Sequence, residues 1–257
     1  MCCCLQESEY TSILLHPELF INELWHGLQQ AVELVVHGSA PLTEVVLLSL
    51  RVSGIALLLS TLLGVPVGAT LGLTRFPTHK LLVALTYTGM GFPPVVIGLF
   101  VYLLLSRSGP LGQFGSALIP NLFTSGAMIV AQTIIALPLV AGFTMAAVMA
   151  VDPLLRQQMI ALGATRWQAA LTIIVEARAG VVVAVIAGFG GIISEVGAVM
   201  LVGGNIEGRT RVLTTAIVLE TRKGNFEFAL ALGLILLGIT FIINALMMRL
   251  QGKTANV

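Results

Sequence analysis

The amino-acid sequence predicts an all-α, polytopic membrane protein: a bundle of five transmembrane helices preceded by an amphipathic helix. Of the 257 residues, 57% are hydrophobic and only 10% are charged, whereas a soluble domain carries about 25% charged residues. The mean hydropathy is +1.00. Five apolar runs each reach the ~20 residues that a helix needs to cross a bilayer.

The N-terminal segment, residues 1–43, is expected to lie on the membrane surface. Apolar and polar side chains alternate at helical spacing over Glu18–His37, which is typical of an amphipathic helix in the interface. Trp25 is expected to anchor this helix among the lipid headgroups. Cys2–Cys4 are adjacent and form no CxxC pair, so we predict neither a disulfide framework nor a metal site from them.

The membrane domain covers residues 44–250 and is followed by a short tail, residues 251–257. Its predicted spans are, in order, Val45–Leu73, Leu81–Ser106, Ala127–Ala150, Gly180–Val202 and Phe228–Arg249. Prolines inside the spans are expected to kink or loosen them; they are Pro66, Pro93, Pro94 and Pro138. No alternation at the period of a strand competes with this interpretation.

Small residues at every fourth position predict where the first and fourth spans pack against other helices. This spacing lets helix backbones approach closely, although glycine is also frequent in membrane helices in general. The predicted packing positions are Gly64, Gly68, Gly72, Gly180, Ala184 and Gly188.

The lysine and arginine counts favour an N-terminus outside the cell. Short inner connections of membrane proteins carry an excess of basic residues, and this orientation places seven inside and five outside. The inner residues are Arg75, Lys80, Arg156, Arg166, Arg178, Arg249 and Lys253, and the outer ones are Arg107, Arg209, Arg211, Arg222 and Lys223.

The sequence contains no recognisable catalytic motif. The formal net charge of +1 argues against a nucleic-acid partner, which would select a basic surplus. No lysine lies in a G-x-x-x-x-G-K-[ST] loop, and neither H-E-x-x-H nor G-x-S-x-G occurs. We therefore predict that the chain is not an enzyme, needs no cofactor or metal, and takes any ATP-derived energy from a separate partner.

The connection between the third and fourth spans, residues 151–179, predicts a helix–turn–helix on the inner face. Asp152-Pro153 is a helix start signal, with the aspartate as N-cap and the proline in the first turn. Gly163 ends the first helix, and a second begins after Ala164-Thr165. A solvated connector has no need of large apolar side chains, so a docking surface is favoured by Met159, Leu162 and Trp167.

This loop resembles the inner loop of permease subunits in type I ABC importers. In that family the loop has the pattern Glu-Ala-Ala, three residues, glycine, nine residues, then Ile-x-Leu-Pro. In this chain Gly163 occupies the glycine position, Ile173 the isoleucine position and Val175 the leucine position. Gln157–Met159 replace Glu-Ala-Ala, and Glu176 replaces the proline. In the family the loop forms the coupling helix that sits in a cleft of the ATPase subunit. The resemblance assigns ATPase coupling to Leu162, Gly163, Ala164, Thr165, Arg166 and Trp167.

Three further segments resemble the molybdate and tungstate permeases, the second and third of them the tungstate branch specifically. They are Ile193–Val199, Val202–Ile206 and Thr210–Thr221, within a similarity that extends over Glu44–Arg249. The resemblance implies a homodimeric permease in the bacterial cytoplasmic (inner) membrane that works by alternating access with two ABC ATPase subunits. It also implies an extracytoplasmic binding protein that delivers an oxyanion, with tungstate as the first candidate.

Other functions remain open alternatives. A molybdate or sulfate permease would have the same architecture. An ion-coupled secondary transporter would need its own ion-coupling residues and usually internal repeats with broken helices, and the sequence shows no inverted repeat. An intramembrane enzyme would need a catalytic pattern beyond those excluded above.

Glu195 is the only acid well inside a predicted span, and an acid in lipid is costly enough to require a cavity or a partner. A structural ion pair with Arg209 or Arg211 and a role in transport both remain open. Direct binding of an oxyanion by the Glu195 carboxylate is disfavoured because like charges repel. Basic residues at the outer mouth either steer a divalent anion or belong to a solvated loop. The candidate path and gate residues are Ser194, Glu195, Arg209 and Arg211, with Arg222 and Lys223 adding charge at the mouth.

Overall fold

A computed structural model describes residues 22, 25–29, 32–33, 40–114 and 119–255. These residues contain helices and no strand, which confirms the predicted all-α class. A 3-10 turn lies at Gly112–Phe114. In chain order, the α-helices are α1 (Ala40–Leu73), α2 (His79–Met90), α3 (Pro94–Leu105), α4 (Ser125–Met149), α5 (Pro153–Ala161), α6 (Arg166–Glu176), α7 (Arg178–Ile193), α8 (Gly197–Gly203), α9 (Leu213–Arg222) and α10 (Phe226–Ala255).

Five membrane crossings agree with the helices if each bent pair is one crossing. Three helices are long and apolar enough to cross alone, over Leu42–Leu73, Ser125–Met149 and Phe226–Arg249. The pair α2–α3 is bent by 103°, and the pair α6–α7 by 61°. The described residues thus hold three uninterrupted crossings, and up to five if each bent pair is one. The second pair differs from the predicted fourth span, because α6 lies in the predicted connection, residues 151–179.

The second predicted span, Leu81–Ser106, is wrong as a single helix. Helix α2 ends at Met90, and α3 begins at Pro94. Pro94 disfavours a helical conformation for the residue before it, and Pro93 is extended, with φ −61° and ψ 123°, so the helix is interrupted there. Pro66 and Pro138, by contrast, lie inside α1 and α4 without ending either helix.

The fourth predicted span, Gly180–Val202, also consists of two helices. Helix α7 ends at Ile193 and the short α8 begins at Gly197. The three residues between them, Ser194–Val196, therefore form a break in the bundle. Glu195 lies in this break and not in a continuous helix.

Helix α4 is the centre of the bundle, and both α1 and α7 pack on it. A Cβ added at Gly64 would lie 3.0 Å from the Val140 Cβ, and one added at Gly188 would lie 2.7 Å from the Val140 Cγ2. The fully buried Val140 side chain thus sits between the two glycines. At Gly68, an added Cβ would overlap the Ala141 carbonyl oxygen. Glycine lets these backbones approach more closely than any side chain allows.

Gly72 and Gly180 lie on the same two interfaces. An added Cβ at Gly72 would lie 2.7 Å from the Val148 Cγ1, and Gly180 faces Ala147 in the same way. Ala184 is fully buried. Small residues on α1 and α7 therefore line the faces that contact α4.

The two ends of the bundle are distinguished by the connections that they carry. Helices α5 and α6, together with the α1–α2 turn, lie at one end, here called the Gly163 end. The connection between α8 and α9 lies at the opposite end, here called the Arg211 end. There Leu42, Leu213 and Leu232 form a buried cluster that joins α1, α9 and α10.

The predicted interfacial helix, Glu18–His37, lies largely outside the described residues, as do Cys2–Cys4. The residues of this segment that the structure describes are helical. Gly27 is buried against Leu230 of α10, where an added Cβ would lie 2.5 Å from the leucine Cδ2. Trp25, 58% exposed, faces away from the bundle. The assignment of this helix to the membrane surface stays a prediction.

Candidate functional site

The first candidate site is the helix–turn–helix at the Gly163 end. The Asp152 carboxylate caps α5 by accepting a 2.9 Å hydrogen bond from the Leu154 N–H. Gly163 has φ +89°, a left-handed conformation that glycine adopts without penalty. The Ala164 N–H then donates to the Met159 carbonyl at 2.9 Å. This closes the helix end in the manner of a glycine C-cap.

The second helix of the motif begins with a reciprocal cap. The Thr165 N–H donates to the Gln168 Oε1 at 2.8 Å, and the Gln168 N–H donates to the Thr165 Oγ1 at 3.3 Å. Such a capping box satisfies two otherwise unpaired donors and defines the first turn of the helix. The tip between the helices is therefore ordered by its own hydrogen bonds.

The tip of the motif exposes large apolar side chains, and its base is packed on the bundle. Leu162 is 84% exposed and Trp167 is 71% exposed, and Arg166 beside them is exposed as well. Ile173 on the opposite face of α6 is buried in a cluster with α1 and α4. The Arg156 guanidinium donates to the Leu73 carbonyl at 3.1 Å. The arrangement holds an apolar tip outward on an anchored base.

A cleft of about 670 Å³ separates this motif from the bundle. Its polar rim includes Asp152, Gln158 and Glu176. The remaining lining residues are apolar: Ala147, Ala150, Val151, Leu154, Leu155, Ala177 and Gly180. The cleft is open at the side, so it separates the two parts without enclosing a cavity.

The second candidate site is the break at Ser194–Val196. The Gln132 side chain donates its Nε2 to the Ile192 carbonyl at 3.2 Å, and the Thr214 hydroxyl donates to the Glu195 carbonyl at 3.0 Å. The Glu195 Oε1 accepts from the Ala198 N–H at 2.9 Å and so caps α8. Backbone groups released by the break are thus paired by side chains from α4 and α9.

Gln132 and Thr214 take part in this site, and the sequence analysis did not single them out. Gln132 lies inside the third predicted span, and a glutamine in a membrane helix signals a polar contact between helices. Its Oε1 is buried and has no partner among the described residues. Ser194 is exposed, and its hydroxyl donates to the Gly190 carbonyl at 2.8 Å.

The connection from α8 to α9 is a tight elbow. Gly204 and Asn205 both have left-handed backbones, with φ +73° and +51°. The Thr210 hydroxyl donates to the Gly203 carbonyl at 2.6 Å and accepts from the Ile206 N–H at 2.9 Å. These bonds hold the elbow closed, with Arg209 exposed and Arg211 half-buried.

The expected ion pair between Glu195 and Arg209 or Arg211 is absent from the described residues. Arg211 instead contacts the Glu207 carboxylate at 3.1 Å, and Arg209 is exposed. Arg211 is half-buried, and its Nε has no partner among the described residues. The break turns the Glu195 carboxylate onto α8 instead. The cost of the buried acid is offset by its hydrogen bond to a backbone donor.

A second buried acid, Glu220, lies on α9 outside the crossings. The Lys223 Nζ donates to its Oε1 at 2.7 Å, and the Asn225 Nδ2 donates to its Oε2 at 3.0 Å. These two bonds hold the pKa of Glu220 below its usual value of 4.5, and the bond from Lys223 has the larger effect. Lys223 therefore neutralises Glu220, and Arg222 remains as an exposed cation beside it.

Comparison with known proteins gives a family and a fold. The family profile for the "binding-protein-dependent transport system inner membrane component" matches residues 64–255. A probable anion ABC transporter permease protein of Haloferax volcanii is 45% identical over 218 residues, 83% of this chain and 92% of that protein. The tungstate uptake system permease protein TupB of Peptoclostridium acidaminophilum is 38% identical over 225 residues, 88% of this chain and 96% of that protein.

Among solved structures, a bacterial ABC transporter involved in the import of the acidic polysaccharide alginate has a similar fold. The TM-score is 0.69, and the match covers 98% of this chain and 94% of that one, at 18% sequence identity. At this identity the likeness concerns the fold alone. The helical bundle and the family match together identify the chain as a member of the binding-protein-dependent transport system inner membrane components, an ABC importer permease.

Proposed function

We propose that this chain is the permease subunit of an ATP-driven importer that carries an oxyanion, tungstate in first place, across the cytoplasmic membrane by alternating access. The observation that carries the proposal is the apolar tip at Leu162 and Trp167, held outward on an anchored helix–turn–helix. An isolated permease would expose this tip to water at the Gly163 end. A partner that buries it explains both its composition and its rigidity.

The partners that fit this tip are two ABC ATPase subunits, one for each copy of the permease in a homodimer. Buried aromatic and apolar anchors dominate the energetics of such interfaces. ATP-driven closure of the ATPase pair would displace Gly163 and its neighbours, and the packed α4–α7 interface would carry that displacement towards the break at Ser194–Val196. ATP hydrolysis then belongs to the partner and transport to this chain.

Substrate entry is proposed at the Arg211 end, which would face the outside. Arg209 and Arg222 are exposed there, and their charge favours the approach of a divalent anion. An extracytoplasmic binding protein would deliver the oxyanion to this mouth. The TupB relative supports tungstate, whereas a molybdate or sulfate permease of the same architecture is the alternative.

The two tryptophans of the chain allow a matched test of the coupling assignment. Trp167→Ala is expected to weaken ATPase binding by about 2 kcal/mol, the scale of a lost interface anchor. Trp25→Ala removes the other exposed tryptophan and is expected to leave ATPase binding unchanged. Affinity is measured by pull-down from purified components, and tungstate-stimulated hydrolysis is measured in proteoliposomes with the binding protein. Equal ATPase affinity in the two variants would refute the assignment, and uptake of molybdate in preference to tungstate would support the alternative substrate.

A further inference from the structure

Two breaks interrupt the crossings, and they lie side by side. The first is the turn Gly91–Pro93 between α2 and α3, and the second is Ser194–Val196 between α7 and α8. An added Cβ at Gly98 in α3 would come within 2.9 Å of the Ala198 Cβ in α8. The helices that follow the two breaks are therefore in direct contact.

The first break lies at membrane depth. Gly89, two residues before it, packs against Pro138, where an added Cβ would lie 2.9 Å from the proline Cβ. Pro138 is near the middle of α4. The turn Gly91–Pro93 thus follows a residue that packs at the middle of the α4 crossing.

The two breaks differ in how their backbone groups are paired. At Ser194–Val196, side chains of Gln132 and Thr214 donate to the released carbonyls, and Glu195 is only 9% exposed. At Gly91–Pro93 no side chain of the described residues performs this role. The difference among the described residues is that side chains pair two carbonyls at the second break and none at the first.

The first break leaves backbone acceptors without donors. Gly91 and Phe92 use their own N–H groups on the Thr88 and Gly89 carbonyls, at 3.1 and 3.4 Å. Pro93 has no N–H. Within the ranges that the structure describes, no group donates to the carbonyl oxygens of Gly91 or Phe92. All three residues of the turn are exposed, and the Phe92 ring is 53% exposed.

Lipid cannot cover such a turn. Unpaired backbone groups in hydrocarbon each cost several kcal/mol, and irregular backbone at membrane depth occurs only inside protein or along a water-filled cavity. A second copy that placed the same turn opposite this one across a two-fold axis would bring two more carbonyl acceptors and no donor. Of lipid, a facing copy of the same turn and water, only water brings hydrogen-bond donors.

We infer that the turn Gly91–Pro93 lines the water-filled translocation path and that Phe92 is the side chain that narrows it. The inference rests on the proposed transport function. Carbonyl oxygens repel an oxyanion, so this part of the path is a barrier and not a binding site. An apolar ring beside it closes the path by excluding water, as hydrophobic constrictions do in channels.

Accessibility to a water-soluble thiol reagent tests the placement of the turn. In a background with Cys2–Cys4 replaced by serine, Phe92→Cys is compared with Phe241→Cys, a 75% exposed phenylalanine on the uninterrupted α10. Both are reconstituted with the ATPase and treated with a membrane-impermeant methanethiosulfonate, without nucleotide and in the ATP-trapped state. We expect Cys at position 92 to react at least about tenfold faster in one of these states, because water reaches it and lipid covers position 241.

Equal, slow labelling of the two cysteines in both states would overturn the inference. Oxidative cross-linking of Phe92→Cys to a second copy would then show that protein shields position 92. Absence of the cross-link would indicate that lipid shields it. Labelling in the nucleotide-free state requires neither ATPase docking nor tungstate, and only the ATP-trapped state requires the ATPase. A failure of the proposed function, with no ATPase bound and no uptake, is therefore distinguishable from a failure of this inference.

The constriction itself is tested by leak. Phe92→Ala is expected to raise ATP-independent tungstate flux across proteoliposomes by about tenfold, because a smaller side chain leaves the path hydrated. Phe241→Ala is the matched control and is expected to change neither flux nor ATPase retention. A parental leak rate in Phe92→Ala, with the ATPase retained, would overturn the constriction.

Discussion

Replacement of Gly163 by valine isolates the contribution of one backbone conformation to ATPase coupling. Gly163 has φ +89°, and an added Cβ would meet no atom within 4 Å. The change therefore introduces no clash with a neighbour, and its cost comes from the left-handed backbone alone. That cost is about 1–2 kcal/mol for an L-residue, and it is highest for a β-branched side chain.

A strain of about 1–2 kcal/mol corresponds to a factor of roughly 5–30 in population. If the ATPase binds only the native turn, the apparent affinity falls by the fraction of chains that keep it. We therefore expect Gly163→Val to raise the apparent Kd for the ATPase by about 5–30-fold. Gly163→Asn should produce a smaller shift, because asparagine tolerates the left-handed region.

Gly208 provides the matched control for this measurement. It has φ +69°, and an added Cβ there also meets nothing within 4 Å, but it lies at the Arg211 end. Gly208→Val should carry a similar strain and leave ATPase affinity unchanged. Kd is measured by titration of the detergent-purified permease with labelled ATPase. Parental affinity in Gly163→Val would refute the reasoning, and an equal loss in Gly208→Val would attribute the effect to general destabilisation.

Three further predictions concern stability in detergent, measured by thermal unfolding. Gly68→Ala should lower Tm, because overpacking costs about 1–3 kcal/mol. Gly54→Ala on the same helix meets no atom within 4 Å and should leave Tm unlowered. Equal Tm values for the two variants would contradict the α1–α4 packing. Glu195→Ala should lower Tm more than Glu195→Gln does. The alanine leaves the buried Ala198 N–H unpaired, at a cost of about 1–3 kcal/mol, whereas glutamine keeps an acceptor. The reverse order of Tm values would exclude the capping role of Glu195. Glu220 has a lowered pKa in the folded state, so its contribution is present above its usual value and is lost as the pH falls through the folded value. The Tm deficit of Glu220→Gln should accordingly be largest near pH 7 and shrink below pH 4.5; a deficit independent of pH would show that the carboxylate charge is irrelevant.

The features that the sequence determines by itself are local. Composition and run length define the membrane class because bilayer thickness sets the length of any crossing helix. Asp152 and Gly163 define the ends of α5 because a cap and a left-handed residue act within one turn of the chain. The four-residue glycine spacing on α1 follows from helical geometry, and it lies on the α4 contact.

The tertiary structure alone decides which polar groups meet. Gln132 pairs with the Ile192 carbonyl 60 residues away, and Thr214 pairs with the Glu195 carbonyl 19 residues away. Sequence spacing gives no information on either contact, because both depend on how separate helices pack. The same holds for Arg211, whose partner is Glu207 and not Glu195. Pro93-Pro94 predicted a kink in the second span. Only the packing of the helices decides that, among the described residues, side chains pair carbonyls at the break around Glu195 and none at the turn Gly91–Pro93.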